Sequence, residues 1–453
     1  MKPIVLLFLA ALLQAATLHA AESVRISDPD DRQIVDAFLN HMKQAPGWVG
    51  ADRCLTVATT KDEGIAWELC PILDMPLTAY RITDDPRYLD DFVAMFGNMR
   101  AALARGPDGS LGWYGWAAAY RTPEYPDYTW DDPVNSLQVT LRVAEFLEEV
   151  AKDPALAEKY ADKRREYLDL IENDLVGKWQ VREDRWADLG AEVGVFRMPV
   201  KITPTYSGAT FPHNMNSKVL QGYLALYRVT GRDEYMRRAI KLGVRFKRCL
   251  KLRDGRYTWH YWDPAGPWDV HAANGDQWKL VYRPDHKSGY YDLNVKAAVL
   301  LYHHGVVFDE TDMERFRKTQ MEVCWNGDLV APKYANTDGT PASAAYVSAW
   351  LAPFDPKLAV FCFEGDQRAA RIRDAASTWQ GGVMGGDWIN MKFVYLPAAE
   401  GGRRIYPEAG ERFLSKQENR EFMESLEFTV EGAGYLPPAT PRDLDRAGYS
   451  GGR

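Results

Sequence analysis

Three observations predict an all-α dominated chain folded as an α/α toroid, a barrel of helical hairpins with long rim loops and a few short strands. Apolar residues between 30 and 430 recur mainly at helical spacing. Leu220, Tyr223, Leu224 and Tyr227 fall at i, i+3, i+4 and i+7, and so do Val295, Ala298, Val299 and Tyr302. The chain also echoes itself: Tyr80-Arg81-Ile82-Thr83 with Tyr88 is matched, 147 residues later, by Tyr227-Arg228-Val229-Thr230 with Tyr235. Finally, the stretches 106 to 131, 177 to 212 and 253 to 289 are rich in Gly, Pro, Trp and Tyr and too long to be mere connectors.

Composition bounds the reading. A chain of 453 residues that is 46% hydrophobic and 26% charged is ordinary globular protein, which excludes disorder, collagen and a small disulfide-stapled module. Lys and Arg number 55 against 63 Asp and Glu, a net charge of -8, so no overall basic field draws in nucleic acid. A polyanion has to be held by a local basic pocket. The 15 Trp and 24 Tyr exceed what a core alone usually needs. Sugar-binding clefts use such rings as flat platforms, and large helical cores use them too.

Residues 1–21 read as an export signal: a basic start at Lys2, an apolar run from Ile4 to Leu13, and small residues Ala20 and Ala21 before Glu22. The run is too short to span a bilayer, and no Cys follows to carry a lipid, so stable membrane insertion is not expected. In each copy of the internal echo a helix ends, a polar turn reverses the chain (Asp84-Asp85-Pro86 or Gly231-Arg232-Asp233), and a second helix begins. Weaker copies stand at Val150 to Pro154 and Val307 to Thr311. Such units bury their faces only by stacking, as an open solenoid or a closed ring, and the long connections at the other end of the hairpins favour the ring. They are expected to gather at one rim and line a cleft. No linker divides residues 22–435, which read as a single catalytic domain, and 436–453 read as an extended tail. The five cysteines are scattered without CxxC spacing and read as mostly buried thiols, with Cys54 and Cys70 the one close pair.

Three segments concentrate chemistry. Phe211-Pro212-His213-Asn214-Met215-Asn216 precedes a helix expected to begin near Ser217 and holds more neutral hydrogen-bonding groups than a helix cap uses. Asp132-Pro133-Val134-Asn135 repeats the arrangement at another helix start. In Tyr257 to Pro264, strand alternation sets His260 and Trp262 on one face and Trp259 and Tyr261 on the other. Tyr282 to Asp292, with Arg283, His286, Lys287, Tyr290 and Tyr291, comes just before a helix expected over 293 to 304. An Arg beside phenols favours the phenolate. HExxH, paired CxxC, GxGxxG, Walker A and GxSxG are all missing, which removes zinc protease, dinucleotide, P-loop and serine-hydrolase readings. Asp127, Asp131 and Asp132 are candidates for Ca²⁺ or glycosidase chemistry, against the ordinary reading as turn formers.

On the Pro-His-Asn-x-Asn and Trp-His-Tyr-Trp segments and the hairpin pattern, residues 40 to 400 resemble polysaccharide lyase family 38, whose members cleave alginate or glucuronan. Related lyases on α/α toroids use an Asn, His, Tyr and Arg set. The resemblance implies Tyr290, His260, Asn214 and Arg283 as the catalytic group, Arg283 and Tyr290 supplying its last two members. His213, Asn216, Asn135, Trp259, Trp262, His286, Tyr291 and Trp130 are the implied contacts to an acidic polysaccharide. A wider group of α/α proteins has Asp-x-Ser-His where this chain reads Asp285-His286-Lys287-Ser288, a departure that bears on His286. In β-elimination Asn214 and Arg283 neutralise the uronate carboxylate, His260 or Tyr290 removes the C5 proton, and Tyr290 protonates the departing O4. The scheme uses no metal or other cofactor. Two competitors stand beside it: a glycoside hydrolase using a pair such as Asp131 and Asp292, and a noncatalytic glycan-binding protein.

Overall fold

The computed structural model describes residues 26–43, 65–106, 109–113, 131–182, 184–200, 206–271, 277–280, 282–285, 288–343, 345–375 and 385–426. The expected export signal and C-terminal tail lie outside the described residues. The helices that carry the architecture are α1 (Pro29–Lys43), α2 (Cys70–Thr83), α3 (Arg87–Ala101), α4 (Pro133–Ala151), α5 (Ala161–Leu170), α6 (His213–Thr230) and α7 (Asp233–Cys249). They continue with α8 (Ser288–His303), α9 (Glu310–Thr319), α10 (Pro356–Phe363), α11 (Gly365–Ala375), α12 (385–398), α13 (Pro407–Leu414) and α14 (Gln417–Glu424).

The internal echo is a repeated helix ending. Asp84 (φ 56°) and Gly231 (φ 70°) take the left-handed conformation after α2 and α6, and their N–H groups donate to the carbonyls of Tyr80 and Tyr227. The hydroxyls of Thr83 and Thr230 return to the carbonyls of Ala79 and Leu226, four residues back. The two weaker copies open on Asp caps instead. Asp153 accepts from Ala155 N–H, and Asp309 accepts from Asp312 N–H while Asp312 reciprocates to the Asp309 N–H.

Burial separates an inner from an outer set. Helices α4, α6 and α8 are buried around most of their circumference, whereas α3, α7 and α9 bury one face and carry charge on the other. Inner helices contact in sequence, α2 on α4, α4 on α6 and α6 on α8, and α12 returns to α2. His303 Nε2 of α8 lies 3.1 Å from the Tyr395 hydroxyl of α12 and completes the ring. Outer helices pack through aromatic contacts: Phe92 of α3 stacks on Phe146 of α4 at 4.8 Å, and Tyr167 of α5 meets Phe96 edge-on at 4.8 Å. The result is the expected α/α toroid. Its central cavity, about 630 Å³, is lined by all five inner helices, Asp74, Arg142, Gln221, Lys296 and Asp387 among the lining residues.

Besides short helical turns, the described residues form four antiparallel two-stranded ribbons: β1–β2 (Ala104–Arg105, Leu111–Gly112), β3–β4 (Trp186–Asp188, Gly194–Phe196), β5–β6 (Lys251–Arg253, Arg256–Thr258) and β7–β8 (Tyr334–Ala335, Pro341–Ala342). The first three sit in the connections that lead into α4, α6 and α8, so those connections share the rim at the inner-helix N-termini. Cys70, Cys249 and Cys324 are buried free thiols and Cys362 is a half-buried one, while Cys54 lies outside the described residues. Among the described residues no helix is long and apolar enough to cross a membrane.

Candidate active site at the loop-bearing rim

Helix α6 starts at His213, four residues before the expected Ser217, because its first turn is held from outside. Pro212 (φ -58°, ψ 157°) brings the chain in extended, no side chain caps the helix, and the His213 N–H donates to the Tyr261 carbonyl at 3.2 Å. The Tyr261 N–H in turn donates to the Arg283 carbonyl at 2.8 Å, and His260 pairs with Pro284 as an antiparallel bridge. Helix α8 starts at Ser288 rather than 293, which puts Tyr290 in its first turn. Asn294 anchors that turn by donating to Asp285 at 3.1 Å and accepting from the Ser217 hydroxyl of α6 at 2.9 Å. Tyr290, half-buried, stacks on Tyr261 with ring centroids 5.2 Å apart. The fold therefore ties His213, His260, Tyr290 and the exposed Arg283 together. Asn214 follows His213 in the same turn, buried, its Oδ1 without a hydrogen-bond partner among the described residues.

Asp263 is the electrostatic centre. Its Oδ2 lies 2.9 Å from His213 Nε2 and its Oδ1 3.9 Å from His260 Nδ1. Burial opposes its ionisation, yet the hydrogen bond from His213 and the nearby His260 and Arg245 outweigh burial and hold the carboxyl well below the usual range. Burial is also the main cause that lowers the His213 pKa, so His213 acts as a neutral donor through Nε2. The His260 ring packs against Tyr282 at 4.0 Å, with Lys251 Nζ 3.3 Å from Nδ1 and 3.1 Å from the Tyr282 hydroxyl. A carboxylate oxygen and an ammonium thus both stand near His260 Nδ1.

Several expected substrate contacts are structural instead. Trp259 and Trp262 are both fully buried, against the expected alternation. The ribbon ends at Thr258, after which Trp259 Nε1 donates to Asp285 and Trp262 Nε1 to the Thr210 carbonyl. Tyr291 is likewise fully buried, donating to Gln320 Oε1 at 2.8 Å, and burial raises its pKa well above the usual value. Asn216 spends its amide on the chain, accepting from Phe196 N–H and donating to the Phe211 carbonyl, and Asn135 is buried in α4. Trp130, His286, Lys287 and Asp127 lie outside the described residues. The two acidic candidates just before α4 are also engaged within the fold. Asp131 is buried in an ion pair with Lys178, and Asp132 caps α4 through Val134 N–H at 2.7 Å, its pKa pushed by burial to about 6.

Sequence reading missed Asp263 and Asp285. Asp263 stands in the Trp-Asp-Pro turn that follows the His260 segment, where an Asp is unremarkable as a turn former. Asp285 receives Trp259 Nε1 at 2.7 Å, and burial pushes its pKa up to about 7. The one available signal was an Asp close to each singled-out titratable residue, three after His260 and five before Tyr290.

No protein-family model and no curated protein matches the chain. Among solved structures, an inactive variant of the α-1,6-mannanase GH76A of Salegentibacter sp. HEL1_6, in complex with α-1,6-mannotriose, is similar at 12% identity with a TM-score of 0.41, covering 81% of this chain and 98% of that one.

Proposed function

We propose that this chain is a glycan-cleaving enzyme that works at the loop-bearing rim and breaks a uronate polymer, glucuronan or alginate, by β-elimination. One observation carries the reading: the first turns of α6 and α8, with the 260–262 and 283–285 segments between them, bring Asn214, His260, Tyr290 and Arg283 to one rim, with Asp263 beside His260. In this scheme the Arg283 guanidinium and the Asn214 amide N–H donate to the substrate carboxylate and stabilise the aci-enolate formed when C5 loses its proton. Asp263 orients His260 as the base for a proton anti to O4. For a syn proton Tyr290 takes both roles, receiving the C5 proton and delivering one to O4 as the C4–O4 bond breaks. An export signal at residues 1–21, as expected from the sequence, would put the enzyme in the periplasm or outside the cell, where such polymers are met.

Hydrolysis is the second reading, and a different observation favours it. Asp292 on α8 accepts from the Ser348 hydroxyl at 2.6 Å, and burial first, with neighbouring Asp387 adding to it, pushes its pKa to about 6. Asp387 lines the central cavity. A carboxylic acid beside a second carboxyl is the equipment of a glycosidase, and in this pair Asp387 takes the place of Asp131 beside Asp292. Incubation with polyuronates and with neutral glycans separates the readings. Elimination raises ultraviolet absorbance by creating a C4=C5 double bond, whereas hydrolysis releases reducing ends without it. Product from neither class of glycan would leave a binding protein.

A further inference from the structure

Behind the rim, three metal-type donors from three separate elements converge. His213 comes from the first turn of α6, Cys249 is the last residue of α7, and Asp263 lies in the connection towards α8. One ligand atom from each lies within 4.8 Å of the other two, and all three residues are buried. Asp263 Oδ1, also buried, completes no hydrogen bond. An ionised oxygen left so carries a desolvation cost that a bound cation would remove. The separation of His213 Nε2 and Asp263 Oδ2, 2.9 Å, is close to the ~3.3 Å that two donors at ~2.0 Å adopt on one tetrahedral ion.

We propose that His213, Cys249 and Asp263 form a Zn²⁺ site with water in the fourth position. One imidazole, one thiolate and one carboxylate suit a borderline-soft ion, whereas Ca²⁺ and Mg²⁺ take oxygen ligands. Two of the three donors are anionic when bound, so they offset the dication; binding releases the Cys249 proton and shifts the His213 proton from Nε2 to Nδ1. Arg245 opposes the ion by charge but is directed at backbone, donating to the carbonyls of Asp263 and Pro264 at 3.0 and 2.8 Å, which fixes the loop that presents Asp263. His260 stays outside the donor set, next to the second oxygen of Asp263, so a metal-held carboxylate would orient it. His213 then becomes a ligand rather than a substrate contact. The proposal does not depend on which glycan bond is broken.

The test uses the purified full chain, stripped with chelator and titrated with Co²⁺ as a spectroscopic stand-in for zinc. The expected result is one ion per chain with a thiolate-to-cobalt charge-transfer band, displaced by Zn²⁺. Cys249→Ser should abolish the band, and Asp263→Asn should weaken binding by at least roughly 10-fold. X-ray absorption of the zinc-loaded wild type should find one sulfur at ~2.3 Å with nitrogen or oxygen neighbours at ~2.0 Å. Failure of the folded wild type to bind Co²⁺ or Zn²⁺ stoichiometrically overturns the proposal, as does a band that survives Cys249→Ser. Should Cys249→Ser not fold, the wild-type absorption spectrum decides, and a sulfur-free shell refutes the site.

Discussion

Tyr290 and Tyr291 are adjacent phenols that the fold assigns to different work, and replacing each by Phe separates them. Tyr290→Phe removes one oxygen from a half-buried ring that keeps its stack on Tyr261, so stability should move by no more than about 0.5 kcal/mol. If its hydroxyl delivers the proton to O4, kcat should fall roughly 10² to 10⁴-fold, about 3 to 5.5 kcal/mol of barrier. Tyr291→Phe acts on a fully buried ring whose hydroxyl donates to Gln320 Oε1, an oxygen that also accepts from Ser348 N–H at 3.0 Å. Because that acceptor keeps one donor, the loss should be about 1 kcal/mol, a fall in Tm of no more than about 4 °C, with kcat nearly unchanged. Ultraviolet absorbance on a polyuronate reads the first quantity and a melting curve the second. A Tyr290→Phe enzyme with native kcat beside an inactive Tyr291→Phe of native Tm would refute this assignment, and two fully active variants would end the role of a phenol altogether.

Asp285 provides a pH test. Its folded pKa of about 7 stands above the ordinary 3.8, so its contribution is fully present below pH 3.8 and is lost as pH rises through 7, at most about 4 kcal/mol. Asp285→Asn should therefore raise Tm at pH 8 more than at pH 5, and an equal difference at both would exclude a buried protonated acid. Lys178→Met leaves Asp131 buried and unpaired, which should cost about 3 to 5 kcal/mol, and adding Asp131→Asn should recover part of the loss. A Lys178→Met melting curve that overlays wild type would show the pair to be idle. Gly222→Ala should destabilise the α4–α6 crossing by about 1 to 3 kcal/mol, since the added Cβ would stand 2.2 Å from the Leu137 carbonyl oxygen. A rise in Tm would mean that Ala's better helix propensity outweighs the clash.

What the sequence determined by itself was local. Helical periodicity, the Tyr-Arg-x-Thr endings and the placement of long connections before inner helices all depend on residues within a turn or two, and they led to a toroid with loops at one rim. Asn214, Arg283 and Tyr290 were singled out for a similar reason, as polar groups beside helix starts, and His260 as a titratable group in an aromatic strand segment. Tertiary structure decided the rest. Whether an aromatic ring is a platform or a core side chain depends on what covers it, and Trp259, Trp262 and Tyr291 are covered by Asp285, Thr210 and Gln320 from distant segments. Helices α6 and α8 begin early because Tyr261 and Asp285, each outside its helix, hold their first turns. The meeting of His213, Cys249 and Asp263 depends on α7 packing against α6 and on the 260–263 connection folding back onto both, which sets three elements side by side without leaving a spacing that a motif can record. Burial and charge neutralisation are summed over neighbours in space, so the groups that respond to them most, Asp263 and Asp285, were the ones the linear chain concealed.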